Sequence, residues 1–334
     1  MLLLPLLLHF LPLPILGRLG EAVGSLMFLI ISAVLSFGSL GLLYTKDVTV
    51  KLLPFDNKSE LSVMIDLPEG GKSRTWNRFV HDLSRPEAQV LVFVDADIEF
   101  CDAGALRRMA QDIGGLSVRN SQPVKDIVAR PEGLGALDKI IAAAGGGLDD
   151  WKTAICGQLY AMPATRARRF HLPIGLPVED GFLRAMVLTD ALTGPEDFGR
   201  IDGLDGLSHL YASERRIAAL IRHQTRIVIG SAINFAAFEA LRALPEEARR
   251  PALARAAADE GWLVRAMRAR LPGWPFGYVP LHFLTKRLVR LVSNPREILR
   301  PKRVLVAICG FGFDAIVYIL AQYRMARGTG AGHW

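Results

Sequence analysis

At 334 residues and 51% hydrophobic, the chain has ample material for a core, arranged as one large domain or two smaller ones. Its mean hydropathy of +0.26 is high for a wholly soluble protein and points to membrane segments. The net charge of +7 is unevenly placed. Three widely spaced cysteines (Cys101, Cys156, Cys309), with no Cys-x-x-Cys pair, exclude a disulfide framework and predict free thiols in a reducing compartment.

In chain order, Met1–Leu16 is apolar but short and holds Pro5, Pro12 and Pro14. It reads as a signal-like segment, a re-entrant piece or half of a hairpin; no small-residue cleavage site follows, so retention is expected. Gly24–Tyr44 carries no charge over 21 residues, enough to cross the hydrocarbon core. Residues 72–83 read as a helix, and Ser84-Arg85-Pro86-Glu87 turns into a strand over 89–94. A second helix is predicted at 103–113, followed by a glycine-punctuated region centred on Gly145-Gly146-Gly147. Then come a strand at 154–162 and helices at 179–192, 212–229 and 246–271, the last broken near Gly261. Between Arg265 and Arg303, ten basic residues face one acid, Glu297, with aromatic and aliphatic residues interleaved. That composition suits interfacial helices on an anionic leaflet and marks a cytoplasmic side. Nucleic acid competes as a partner for such a patch, but no nucleic-acid motif is present. Val304–Gln322, interrupted only by Asp314, is a second candidate span.

The strand Val90-Leu91-Val92-Phe93-Val94 ends abruptly in Asp95-Ala96-Asp97. A short, β-branched, apolar run without alternation predicts a buried, parallel strand. Acids delivered from the C-terminal end of such a strand lie where open α/β sheets bind ligands. Two hard oxygen ligands there suit Mg²⁺ or Mn²⁺ bridging to a diphosphate, although an acidic loop after a core strand has the same sequence.

Further residues narrow the reading. Gly71-Lys72-Ser73-Arg74-Thr75-Trp76-Asn77 precedes the acid pair; Cys156-Gly157-Gln158-Leu159-Tyr160-Ala161, His171-Leu172-Pro173 and Pro177-Val178-Glu179-Asp180-Gly181 follow it. In that order and spacing they resemble inverting, membrane-associated glycosyltransferases of family 2, over roughly residues 71–323. The resemblance implies an α/β, GT-A-like fold. It implies that Asp95 and Asp97 hold a divalent cation (Mn²⁺ or Mg²⁺) and the diphosphate of a nucleotide-sugar donor. Lys72, Asn77, Gly157, Gln158 and Glu179 would line the substrate site, and Asp180 would be the general base for the acceptor hydroxyl. A helix N-terminus also favours acids for its dipole alone, so Glu179 and Asp180 have a structural reading as well. Many processive members carry Gln-x-x-Arg-Trp over the site. Here the stretch is His223-Gln224-Thr225-Arg226-Ile227, in which Arg226 keeps a bidentate donor for the diphosphate but no Trp offers a sugar platform. A non-processive enzyme is therefore expected.

The N-terminal part departs from that family. Only about 25 residues separate Tyr44 from Gly71, too few for the two βα units that would hold nucleobase and ribose, since one βαβ unit needs about 30. Val50–Glu60 and Met64–Gly70, with the preceding span, resemble instead a fragment of resistance-nodulation-division efflux permeases. The join would lie near Gly70/Gly71. Alone, that fragment lacks the charged intramembrane relay of a transporter. It would also place residue 50 onward in the periplasm, whereas a nucleotide-sugar enzyme faces the cytoplasm. Alternatively, residues 47–53 and 60–67 are two strands that imitate the missing sheet edge.

The sequence thus predicts N-terminal membrane and permease-like segments over 1–70 and a GT-A-like catalytic domain over 71–245. Basic amphipathic helices would occupy 246–303 and a C-terminal transmembrane helix 304–323. The expected activity is transfer of a sugar to a lipid or lipid-linked glycan acceptor, at an inner membrane with the catalytic domain facing the cytoplasm. The alternative is a catalytically inactive membrane fusion protein that lacks the nucleobase-binding half of the donor site.

Overall fold

The computed structural model describes residues 71–135, 138–139, 141–142, 150–270, 276–293 and 300–328. Met1–Leu16, Gly24–Tyr44, the permease-like stretch up to Gly70 and the Gly145–Gly147 run lie outside the described residues.

The described fold is mixed α/β around a five-stranded sheet. Helix α1 (Lys72–Asn77) continues through a π-helical turn, Arg78–Leu83, into β1 (Val90–Val94) and β2 (Ile98–Phe100). Next come α2 (Ala105–Gln111), β3 (Val118–Lys125), the single turn α3 (Asp126–Ala129), β4 (Leu159–Pro163) and the single turn α4 (Ala164–Ala167). Helix α5 (Glu179–Thr189) leads to the longest strand, β5 (Ile201–Tyr211). Five helices follow: α6 (Ile217–Arg242), α7 (Glu246–Ala256), α8 (Trp262–Arg268), α9 (His282–Ser293) and α10 (Pro301–Ala326). The predicted helix over 246–271 is therefore two helices, interrupted where Gly261 was expected to break it. The predicted helix over 212–229 begins at Ile217 and runs on to Arg242.

The strand order is β1-β4-β3-β5-β2, with β3–β5 parallel and the other pairs antiparallel. This corrects the expectation of a parallel, fully buried β1. It pairs antiparallel with β4, Val90 opposite Pro163 through Val94 opposite Leu159, and forms one edge of the sheet among the described residues. The reason lies in the layers. Leu91, Tyr160 and Met162 face one core with Trp76, Phe182 and Ile233. Val90, Val92, Leu159 and Ala161 face a second core built on Ala105 and Met109 of α2. Both faces are covered, so the alternation disappears whatever the direction of the neighbouring strand.

Asp190, Ala191 and Leu192, just after α5, all have positive φ (51°, 65° and 63°), a conformation that side chains with a Cβ resist. Thr189 Oγ1 accepts from Leu192 N at 2.9 Å, and Arg250 donates to Asp190 O at 3.0 Å, so surrounding groups hold this turn in place.

Helix α10 contains one stretch, Arg303–Ala326, long and apolar enough to span a membrane. Its outward residues Leu305, Val306, Ile308, Ile316 and Ile319 are exposed. Its inward face packs Val317, Ala321 and Met325 into the core, and the polar groups among them are answered by protein. Asp314 accepts from Arg287 Nε of α9 at 2.6 Å, and Tyr318 donates to Val279 O at 3.1 Å. Gln322 donates to Val279 O and accepts from Tyr278 N, at 3.1 and 3.0 Å. Gly310 lets Arg287 lie against α10, since a Cβ there would stand 2.8 Å from Arg287 Cδ. Asp314 is buried, so an Arg287→Met change should destabilise the α9–α10 pair by about 3 kcal/mol, the cost of an uncompensated buried charge. The double change Arg287→Met with Asp314→Leu should recover most of that. Thermal melts of the purified protein in detergent check it: a double variant as unstable as the single would show that the ion pair is not what holds these helices.

Candidate active site

Strand β1 and helix α5 bring the predicted acids together from positions some 85 residues apart in sequence. Asp95 follows β1 directly, and its backbone N–H donates to Gln158 O at 2.8 Å, extending the β1–β4 pairing by one residue. Its carboxylate accepts from Lys72 Nζ at 2.7 Å. Lys72 opens α1 and also stands 3.7 Å from Glu179 Oε1. Two predicted carboxylates from different elements thus share one ammonium.

Glu179 and Asp180 form the first turn of α5, preceded by Val178 in a non-helical conformation. Asp180 Oδ1 accepts from Gly181 N at 2.7 Å. Its other oxygen, Oδ2, faces Gly157, where an added Cβ would come to 3.0 Å. Glycine at 157 is therefore a requirement of close approach: any side chain would crowd the free oxygen of Asp180. Arg226, on α6, lies near enough to stabilise the Asp180 charge, and it makes no hydrogen bond or ion pair among the described residues.

Burial dominates the electrostatics. It pushes Glu179 up to about 6, with the neighbouring Asp180 charge adding to the effect and Lys72 opposing it. Burial also raises Asp180 above the usual carboxylate range, against the Gly181 N–H and the Lys72 and Arg226 charges. Burial pulls the Lys72 ammonium down, but its hydrogen bond to Asp95 and the charges of Glu179, Asp95 and Asp180 more than offset this, so it is held above its ordinary value. A carboxylate whose pKa is raised by burial is suited to proton acceptance.

Asp97 sits in the turn between β1 and β2, exposed and without a hydrogen bond or ion pair among the described residues. No group of three or more His, Cys, Asp or Glu side chains that could hold a metal occurs among the described residues. The donor set that is present, two hard carboxylates on one turn, fits a cation whose remaining ligands are phosphate oxygens and water, the usual habit of Mg²⁺.

Two predicted residues have other surroundings. Asn77 is buried and both ends of its amide are engaged by one backbone unit: Nδ2 donates to Leu172 O at 2.7 Å and Oδ1 accepts from Leu172 N at 3.0 Å. It ties α1 to the His171–Pro173 segment. Gln158 serves the site through its backbone contact to Asp95, while its side-chain oxygen accepts from His209 Nε2 at 3.1 Å. His209 is fully buried and its basicity is lowered to about 4 by that burial, so the ring is neutral. Its Nδ1 accepts from Ser121 Oγ at 3.0 Å.

Several residues around the site had been given no role of their own by the sequence. Trp76 stacks on Phe93 (centroids 5.8 Å apart) and Phe93 on Tyr160 (4.6 Å). Trp76 Nε1 donates to Tyr160 Oη at 3.0 Å, and burial keeps that phenol protonated. This aromatic row links α1, β1 and β4. Gly230 and Asn234 of α6 back the Val178–Asp180 turn. The helix predicted over 212–229 stopped short of both, and only the full 26-residue length of α6 puts Gly230 in mid-helix.

No family model, no curated protein and no solved structure matches this chain.

Proposed function

We propose that the chain is a membrane-associated, inverting, non-processive glycosyltransferase that moves a sugar from a nucleotide diphosphate sugar to the hydroxyl of a lipid or lipid-linked glycan. One observation carries this reading: Lys72, Asp95, Glu179 and Asp180 converge from α1, β1 and α5, with the free oxygen of Asp180 kept clear by Gly157. The acceptor oxygen attacks the anomeric carbon as the bond to the diphosphate oxygen breaks on the opposite face. The hydroxyl proton passes to Asp180 Oδ2, and the nucleoside diphosphate departs. Lys72 and Arg226 donate hydrogen bonds to phosphate oxygens as charge builds there. When bound, a divalent cation on Asp95 and Asp97 would neutralise the leaving diphosphate.

The membrane reading has its support in α10 and α9. Helix α10 has the length and apolarity of a span. Helix α9 carries Lys286, Arg287 and Arg290, with Val289 and Val292 exposed among them. Such a helix suits an anionic leaflet, and the positive-inside rule then puts the catalytic face in the cytoplasm, at an inner membrane. The acceptor would reach Asp180 from that leaflet.

A second reading is favoured by the place of β1. Its outer side, where the N–H and C=O groups of Val90, Val92 and Val94 point, pairs with no strand among the described residues. A nucleobase pocket would belong on that side, so a catalytically inactive membrane fusion protein is the alternative.

Binding separates the two. Detergent-purified protein should bind UDP-sugars in the presence of Mn²⁺, losing at least tenfold in affinity on chelation and in an Asp97→Asn variant, as measured by isothermal titration. A folded protein that binds no common nucleotide sugar would leave only the inactive reading.

A further inference from the structure

Three residues at i, i+4 and i+8 of α6, Arg226, Gly230 and Asn234, form one stripe, and that stripe meets the Val178–Asp180 turn. Gly230 brings the two backbones into contact: a Cβ there would stand 2.3 Å from Val178 Cγ2 and 3.2 Å from Val178 N. Asn234 Nδ2 donates to Val178 O at 2.8 Å and lies close beside Gly181. Arg226, at the other end of the stripe, adds a positive charge that favours the ionised Asp180.

Asn234 is 5% exposed, and its Oδ1 has no hydrogen-bond partner among the described residues. A leucine of similar size would fill this place without stranding a polar atom, so packing does not account for asparagine here. Nor does capping of its own helix, since Asn234 lies in mid-helix and its donor goes to another element. What the amide does is fix the direction of the Val178 carbonyl. That carbonyl also accepts the first bond of α5, from Phe182 N. The turn that aims Asp180 Oδ2 at Gly157 is therefore held against one face of α6, by the Asn234 hydrogen bond and by the close packing of Val178 on Gly230.

We propose that Gly230 and Asn234 are positioning residues for the proton acceptor: they clamp Val178 so that Asp180 presents its free oxygen to the acceptor hydroxyl. The proposal rests on the reading of Asp180 as the base, and it extends that reading to two residues of α6, Gly230 and Asn234, that themselves touch no reacting atom.

The test compares Asn234→Leu, Asn234→Gln, Gly230→Ala and, as a control on the exposed side of the same helix, Phe235→Ala. Hydrogen exchange of the full-length protein in detergent is followed over the peptide covering Val178–Leu183. Transfer from a UDP-sugar is assayed in parallel against pH. N234L should speed exchange in that peptide about tenfold and lower kcat about tenfold, with the donor KM within twofold. Its acid limb should move to lower pH, because a loosened Asp180 is better solvated. G230A should act in the same direction, N234Q should recover part of the loss by keeping the donor, and F235A should change neither readout. Unchanged exchange in both N234L and G230A would overturn the clamp. Faster exchange with unaltered kcat and pH profile would reduce the stripe to packing. A parent chain that transfers no sugar, yet whose N234L variant exchanges faster, would overturn Asp180 as the base and leave only the clamp.

Discussion

An Asp180→Asn variant should transfer sugar about 10²–10⁴ times more slowly than the parent, the range over which a positioned general base contributes. Donor binding should stay within a few-fold. The amide keeps the shape beside Gly157 and can still accept from Gly181 N, so the fold has no reason to change; what it cannot do is take a proton. A loss of less than threefold would mean that the acceptor is deprotonated elsewhere, with Glu179 the next group to test.

The pH dependence follows from the same turn. Transfer should rise with pH through an acid limb above the ordinary carboxylate range, because burial raises both Asp180 and its neighbour Glu179. Stability runs the other way. Glu179 is raised from 4.5 to about 6 on folding, so its contribution is fully present below 4.5 and is lost as pH rises through 6. The loss is of order 2 kcal/mol. Glu179→Gln should flatten that slope in urea denaturation followed between pH 4.5 and 6.5; an unaltered slope would place the titrating group elsewhere.

Lys72→Met should cost about 10–100-fold in nucleotide-sugar affinity, the range for charge-assisted hydrogen bonds to a phosphate. The ammonium is also the one charge that holds Asp95 and Glu179 near each other without repulsion, at 2.7 and 3.7 Å. Its removal should therefore raise Glu179 further and shift the acid limb of transfer upward. Titration calorimetry and the pH profile of the same variant test both effects. Unchanged affinity together with an unchanged limb would show that Lys72 serves only as a surface partner for Asp95, half exposed as it is.

How much of this was legible before folding differs from residue to residue. The acid pair after an apolar strand, the Glu179-Asp180 opening of a helix and the long apolar segment at 304–322 were all readable, because each depends on neighbours within a few positions: a strand ends, a dipole favours acids, a span needs length. That Lys72 stands 2.7 Å from Asp95 and 3.7 Å from Glu179 was not readable from local pattern, since the three come from separate elements. The direction of β1 was not readable, since an apolar run reports that both faces are covered and says nothing about which strand lies alongside. Asn77 looked like a binding residue because a polar side chain in a motif has no address; the structure gives both ends of its amide to Leu172, 95 residues away. Asp314 read as a flaw in a span until Arg287 of α9 was found beside it. Gly230 and Asn234 gained meaning in the same way, from the single turn that α6 touches. Local pattern determined which residues are able to do chemistry or cross a bilayer. Only the tertiary structure decided which of them face one another, because pairing across the chain depends on how distant elements pack and leaves no period in the sequence.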